Sequence, residues 1–594
     1  MRFKSKIVDK YRIYAVSGTN TVSFGIDYTK ANTKGLLGFS VKRTYPGDTE
    51  HFLPGFKVFQ VHKKNVKPGN LVTTETDPIQ SFVWDDFTLK PNEEYTYTFI
   101  PVKGKPDQLD PQKPIEIKIR TEPTFSKQTH DIFFNRGVAS SQAYVREFNN
   151  TSPDKLVGKK QQDAFNWLGR DLPDAISRFI GQAKKGDSLF GCFYEFNYLP
   201  VLQEFKKAID RGVHVKLIVD AKENEHTEKV KGKSKIVPST PITQTKAALK
   251  SARIPNANII FRKANKSVLQ HNKFMVWQQT GKTKPTAVWT GSTNITESGI
   301  FGQTNVGHWV RDTALASLYK KYWDLLSTDP GPKDGDTAAN RKKDKAAYIT
   351  GVMNIQPDLN GSIPSGVTPM FSPRKTLDML GKYFDLIDKS QHVGTITLAF
   401  GINAGLKDLL KEHNLDSPIS FLLLEKEDKA TKKNIDTFIP LNAKNNVYQA
   451  FGSFIKDPVY EWTKETNMQQ LGITKFVTYI HSKFLLKDPL GASPVVISGS
   501  ANFSANSTTA NDENMIIIQD DLRAADIYFT EFNRLFNHYY FRAVLSQLKD
   551  KKVKDSQKSF YLDDTDGWIA AYKPGTLRTK RVNMYINMEK AVTL

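Results

Sequence analysis

One pattern occurs twice in this chain, and it constrains the fold more than any other feature. His271-Asn272-Lys273-Phe274-Met275-Val276-Trp277 is matched by His481-Ser482-Lys483-Phe484-Leu485-Leu486. Each is followed by a Gly-Ser-x-Asn turn, Gly291-Ser292-Thr293-Asn294 and Gly499-Ser500-Ala501-Asn502. On a strand, residues i and i+2 face the same side, so His271 and Lys273 share a site, as do His481 and Lys483. The apolar residues after each pair anchor the strand, and the glycine turn brings a hydroxyl and an amide to one place. A histidine can attack phosphorus or carry a proton, while lysine and asparagine hold charged oxygens. A lone His-x-Lys would mean a surface histidine beside a solvated lysine. Its recurrence in matching context reads as a symmetrical phosphate site.

The surroundings repeat as well. An apolar strand over 189–196, a helix carrying Val201, Leu202, Phe205, Ala208 and Ile209, and a strand over 213–220 precede the first copy. A strand over 395–400, a helix with Leu406, Leu409 and Leu410, and a strand over 419–424 precede the second. After each turn comes another strand and then a helix. Leu315, Tyr319, Tyr322 and Trp323 mark one helix, Ala525, Tyr528, Phe532 and Phe536 the other, and their spacing predicts core packing. The first 125 residues differ, with short alternating runs over 22–28, 37–41, 95–99 and 115–119 between Gly, Pro and Asn, which predict a small β-sandwich. Pro330 to Lys345, rich in Gly, Asp and Lys, reads as a linker. The expected division is a β-sandwich over 1–125, a first half over 126–329, a linker over 330–365 and a second half over 366–594. The fold class is α/β, with two homologous α/β/α halves forming one pseudo-twofold unit.

At 594 residues the chain exceeds a single core. No apolar run is long enough to predict a transmembrane helix, and the N-terminus leads into no apolar stretch, so no secretory signal and a cytoplasmic location are expected. The single cysteine, Cys192, excludes an intramolecular disulfide, and its apolar neighbours predict a buried structural thiol. The 84 Lys+Arg against 62 Asp+Glu give +22, which points to a polyanionic partner. That partner is nucleic acid or an anionic phospholipid, the latter implying peripheral membrane contact. No His, Cys, Asp or Glu spacing reads as a metal site, and no cofactor is expected.

The repeated set resembles the phospholipase D superfamily, which carries His-x-Lys-x4-Asp followed by Gly-Ser-x-Asn, twice per site. The second half matches through His481, Lys483, Asp488, Ser500 and Asn502, and continues into Asn511-Asp512-Glu513-Asn514. The first half departs: Gln278 takes the Asp position, and the later stretch reads Gly302-Gln303-Thr304-Asn305. The resemblance spans about 130 to 545 and implies that both histidines meet across a pseudo-twofold axis, with no metal required. It also implies that Asp488 supports the fold, as do Ser292 and Ser500. Glu513 against Gln303 resembles the tyrosyl-DNA phosphodiesterase branch, where a glutamate supports the N-terminal histidine and a glutamine the C-terminal one. His271 is accordingly the expected nucleophile, oriented by Glu513. His481 is the expected general acid and base near Gln303, and Lys273, Lys483, Asn294 and Asn502 hold the phosphate oxygens. Within the N-terminal region, the 87–97 stretch resembles the Leu-x-Pro-x-x-x-Tyr segment of fibronectin type III modules.

The expected activity is that of a phosphodiesterase acting through a phosphohistidine. The charge and the Asn-Asp-Glu-Asn phrasing, similar to small bacterial endonucleases of the superfamily, favour nucleic acid over phospholipid headgroups. A non-enzymatic nucleic-acid scaffold is the reading of another class, and the retained pairs of histidines, lysines and asparagines argue against it. With two halves per chain, one chain completes one site and no oligomer is required.

Overall fold

The computed structural model describes the chain except for residues 46, 48, 56, 66–71, 138–143, 145–146, 150, 152, 231–232, 358, 360, 433–434, 453–479 and 551–560. In the N-terminal region two antiparallel sheets face each other. One holds Arg2–Lys4, Arg12–Ser17, Val22–Asp27 and Val83–Asp86. The other surrounds the long strand Glu94–Lys105, which pairs with Gly38–Thr44, Gln108–Pro111 and Ile115–Arg120. The alternation predicted for the last of these is realised: Ile115, Ile117 and Ile119 are buried while Glu116, Lys118 and Arg120 face solvent. Ile13, Phe24, Phe39, Tyr97 and Phe99 are among the side chains that close the core between the sheets. At the corner before the long strand, the Tyr95 hydroxyl accepts the Lys90 N–H at 2.8 Å.

Trp568, Tyr572 and Val582 enter that same core, and the helix Leu577–Ile586 lies on the first sheet. The end of the expected 366–594 unit therefore packs with the N-terminal module. Buried Arg2 ties the module to the second half as well. Its Nε donates to Asp526 at 2.8 Å and its terminal nitrogens to the Pro489 and Leu490 carbonyls, each at 2.8 Å.

The first half contains β1 (His130–Phe134), β2 (Ser188–Phe193), β3 (His214–Asp220), β4 (Ile259–Arg262), β5 (Lys273–Gln278), β6 (Ala287–Gly291) and β7 (Val306–Val310). They form one sheet in the order β1-β7-β6-β5-β2-β3-β4. The second half contains β8 (Gly366–Ser372), β9 (Val393–Leu398), β10 (Ile419–Leu424), β11 (Val447–Phe451), β12 (Phe484–Lys487), β13 (Val495–Gly499) and β14 (Glu513–Gln519). Its order, β8-β14-β13-β12-β9-β10-β11, is the same arrangement. In each sheet three neighbouring strands are parallel and the rest antiparallel. The helices Leu199–Asp210 and Ala404–Leu410 make the corresponding crossovers.

The halves join through two short bridges, Gln270 to Asp512 and Ile480 to Thr304. The closing helix of each half also packs on its neighbour's edge strand. Tyr322, from Thr313–Ser327, stacks on Phe371 of β8 at 4.4 Å, and Tyr528, from Leu522–Asp550, lies 5.2 Å from Phe134 of β1. Side chains from both halves thus belong to one continuous core. Cys192 is part of it, a buried free thiol.

The stretch read as a linker contains a helix, Ala338–Met353, capped by the Thr337 side chain on the Asn340 N–H. Tyr348 and Val352 are buried, and the Tyr348 hydroxyl donates to Asp512 at 2.6 Å. The Gly and Asp content that suggested a linker lies in the turn before the helix, and its lysines lie on the exposed face. Among the described residues no helix is long and apolar enough to cross a membrane.

Candidate active site

The two bridges decide where the histidines stand. β5 begins at Lys273 and β12 at Phe484, so His271 and His481 precede the strands on which the pattern placed them. Their backbones are engaged across the interface instead: His271 N–H donates to the Asp512 carbonyl at 2.9 Å and His481 N–H to the Thr304 carbonyl at 3.3 Å. Each lysine Nζ then donates to the carbonyl of its own motif histidine at 2.6 Å. All four side chains are buried at the contact between the halves.

The glycines of the two turns are required by a close passage of backbone. A Cβ on Gly291, whose φ is 141°, would collide with the Val306 carbonyl, and one on Gly499 with the Asn514 carbonyl. The same passage lets Ser292 and Ser500 donate their N–H groups to those carbonyls at 3.0 and 2.8 Å. Their hydroxyls are then free to hold the next residues. Ser500 Oγ donates to Glu513 at 2.6 Å, and Glu513 presents its two oxygens to His271 Nδ1 at 3.0 and 2.9 Å. Ser292 Oγ donates to Asn305 Oδ1 at 2.8 Å, and that oxygen meets His481 Nδ1 at 2.9 Å.

The residue against His481 is therefore Asn305, which corrects the expectation of Gln303. Thr304 bridges to Ile480 as Asp512 bridges to Gln270, so the residue after each bridge, Asn305 or Glu513, faces the histidine. Gln303 lies one step before the bridge, where its carbonyl accepts Asn135 Nδ2 at 2.6 Å. A sequence signal existed for Asn305, which follows Asn294 by the same eleven residues that separate Glu513 from Asn502.

The two histidines sit in unlike fields. Burial lowers the His271 pKa to about 4 against the upward pull of Glu513, so the ring is neutral at pH 7, with Nδ1–H on the carboxylate and a lone pair on Nε2. Glu513 is held below the usual carboxylate range, because His271, Lys273 and the Ser500 hydroxyl outweigh the burial that would raise it. Burial, with Lys483, Lys273 and His271 nearby, pushes His481 well below its ordinary value. Burial brings Lys273 down to about 8, opposed by Glu513 and Glu195. Lys483 is lowered further, by burial and then by Lys273. Two lysines forced together out of water are a receptor for an anion.

Asn294 and Asn502 stand at matching places on the two turns, and among the described residues neither buried Oδ1 finds a partner. Asn294 Nδ2 donates at 2.5 Å to Glu195, a residue that the sequence reading missed. Asp488 lies away from this chemistry and accepts the N–H groups of Gln391, His392 and Val393 at 2.8, 2.7 and 3.1 Å. In the first half the acid sits across the ladder. Asp187 accepts Thr280 N–H at 2.9 Å and Trp277 Nε1 at 3.1 Å, while Gln278 donates to the Lys282 carbonyl.

Residues 176–326 and 391–536, together half of the chain, match the family described as cardiolipin synthase, PLD-like domain. No curated protein matches the chain. Among solved structures, polyphosphate kinase from Porphyromonas gingivalis is 9% identical with a TM-score of 0.35, over 58% of this chain and 42% of its own. The chain thus spans less than half the length of that kinase. Phosphatidylserine synthase from Haemophilus influenzae is 12% identical with a TM-score of 0.40, over 63% of this chain and 85% of its own. The phospholipase D family member Nuc from Salmonella typhimurium is 15% identical with a TM-score of 0.20, over 29% of this chain and 93% of its own.

Proposed function

The chain belongs to the phospholipase D-like family, whose enzymes transfer or hydrolyse phosphodiesters, and on that premise we propose that it hydrolyses a phosphodiester through a covalent phosphohistidine on His271. The observation that carries this reading is the unequal support of the two histidines. Glu513 offers a carboxylate to His271, whereas His481 meets the neutral amide of Asn305. A carboxylate on Nδ1–H fixes the attacking tautomer and stabilises the cationic adduct.

In the first step the His271 Nε2 lone pair forms a bond to phosphorus while the bond from phosphorus to the leaving oxygen breaks. His481 gives its Nε2 proton to that oxygen. In the second step His481 takes a proton from water, the water oxygen attacks phosphorus, and the P–N bond breaks to return neutral His271. Lys273, Lys483, Asn294 and Asn502 hold the equatorial oxygens as charge builds on them. His481 must enter the first step protonated. Burial depresses its pKa most and the two lysines add to that; a phosphodiester anion neutralises the lysines, so substrate binding raises it.

Nucleic acid is the substrate we assign, on the net charge of +22. Phospholipid is the second reading, favoured by the cardiolipin synthase name of the matching family. The test offers plasmid DNA, a single-stranded oligonucleotide and phosphatidylglycerol vesicles in excess EDTA, with acid-labile adducts trapped during turnover. Cleavage of DNA and an adduct absent from His271→Ala are expected, and cleavage of lipid alone overturns the substrate. Failure to cleave any of these, or bis-p-nitrophenyl phosphate, overturns the enzyme.

A further inference from the structure

Glu195 lies just past the end of β2 and holds the first Gly-Ser-x-Asn turn twice. Its carboxylate accepts Asn294 Nδ2 at 2.5 Å, and its carbonyl accepts the Ile295 N–H at 3.1 Å. Its charge reaches both lysines of the site, raising the proton affinity of Lys273 and Lys483 against the burial that lowers it. Tyr194 beside it stands with its ring 5.0 Å from that of His271 and 5.4 Å from Lys273 Nζ. Glu195 is thus within the field of the reacting phosphate, although it belongs to neither copy of the motif.

The fold does not require an acid there. Phe193 of β2 pairs with Val219, and Leu398 of β9 pairs with Leu424. The next residues, Asp220 and Glu425, each accept the N–H just before a motif histidine, from Gln270 at 3.0 Å and Ile480 at 2.7 Å. In this common register the twin of Glu195 is Phe400, which is 72% exposed. One half has a carboxylate beside the anion receptor where the other has an exposed ring. A second carboxylate, after Glu513, weakens a two-lysine receptor for every anion, and it weakens it most for the most highly charged.

We propose that Glu195 is a specificity-determining residue that restricts the site to phosphates bearing one negative charge, admitting diesters and excluding dianionic phosphomonoester ends. The proposal rests on the phosphodiesterase reading of the same site. At separations on the order of 6 Å and an effective dielectric of about 20, one extra charge changes binding by roughly tenfold to a hundredfold. Through its bond to Asn294, Glu195 is also a positioning residue for the amide that meets the phosphate.

Binding is measured by calorimetry at pH 8 with two probes of one shape, dianionic phenyl phosphate and monoanionic phenyl methylphosphonate. Wild-type protein is expected to bind the monoanion at least tenfold more tightly. Glu195→Gln keeps an acceptor for Asn294 and removes the charge. It is expected to strengthen binding of both probes, and to do so at least tenfold more for phenyl phosphate than for phenyl methylphosphonate. A merely structural role would change both probes by the same factor, and that result overturns the proposal. Equal binding of the two probes to wild-type protein overturns it without any variant. If neither probe binds, the anion-receptor reading falls and the filter falls with it.

Discussion

In the first half Ser292 holds Asn305 against His481; in the second Ser500 holds Glu513 against His271. The serine, the strand it starts from and the bridge that precedes each partner are the same, and only the partner changes, from amide to carboxylate. A duplicated scaffold can therefore build two geometrically equivalent histidines and still give them different work. The difference arises from one functional group on Nδ1, because a carboxylate stabilises a cationic ring and an amide does not. The outer positions repeat the lesson: Glu195 is opposite in character to Phe400, and Asp187 performs from the facing strand what Asp488 performs from its own.

The sharpest way to break this comparison is to remove each histidine. His271→Ala and His481→Ala are both expected to abolish steady-state turnover of a natural diester, with thermal melting unchanged within a few degrees. With bis-p-nitrophenyl phosphate the leaving group needs little proton help, so His481→Ala is expected to retain a burst and accumulate adduct while His271→Ala shows neither. An adduct trapped on His481 would reverse the assignment.

Next in size is the carboxylate. Glu513→Gln is expected to lower kcat on the order of a hundred- to ten-thousand-fold, with a small change in KM. The pH profile adds a sign. His271 must be neutral to attack, and Glu513 is the group that raises its pKa, so losing that charge lowers the pKa further and moves the acidic limb to lower pH. Near wild-type turnover with an unmoved limb would show that Glu513 does not support the nucleophile. Asn305→Ala removes from His481 one neutral hydrogen bond worth about 1 kcal/mol, along with the bonds to Ser292 and the Gly299 carbonyl, and a loss of about tenfold or less in turnover is expected. If Asn305→Ala proved as damaging as Glu513→Gln, the halves would be functionally alike.

The repeat and the two α/β halves were legible because duplication shows twice whatever a single copy hides. His271, Lys273, His481 and Lys483 come together, but the histidines are held by the contacts between the halves and not by a shared strand face. The misreadings share a cause in contacts distant along the chain. Gln303 stands in the sequence reading in the place of Asn305 because the glutamine resemblance outweighed the eleven-residue spacing from Asn294, and the bridge between Thr304 and Ile480 that selects the facing residue exists only between folded halves. The helix Ala338–Met353 was hidden because only Tyr348 and Val352 are buried along it, too few for an apolar period to stand out. Glu195 was invisible because its twin is Phe400, so no repetition marked it. The C-terminal Trp568, Tyr572 and Val582 complete a core whose other buried side chains lie within the first 120 residues, and no local pattern reports such a pairing.

The smallest expected effect concerns the acid for which the family motif is known. Asp488 accepts three backbone N–H groups at the start of β9 and has a φ of 44°, a conformation that asparagine also tolerates. Asp488→Asn therefore leaves the backbone unstrained, but it puts an amide nitrogen where Oδ2 accepts the Gln391 N–H and removes the charge that strengthens the bonds from His392 and Val393. Unfolding free energy should fall by about 1–2 kcal/mol, read from the urea midpoint at constant slope. Turnover at 25 °C should stay within twofold, because the carboxylate meets the end of a strand and not the phosphate. The first half already dispenses with an acid at this place, where Gln278 stands and Asp187 binds from across the ladder. If kcat fell tenfold while stability held, Asp488 would act on the chemistry. The two halves would then differ in a catalytic part as well as in the partner of each histidine.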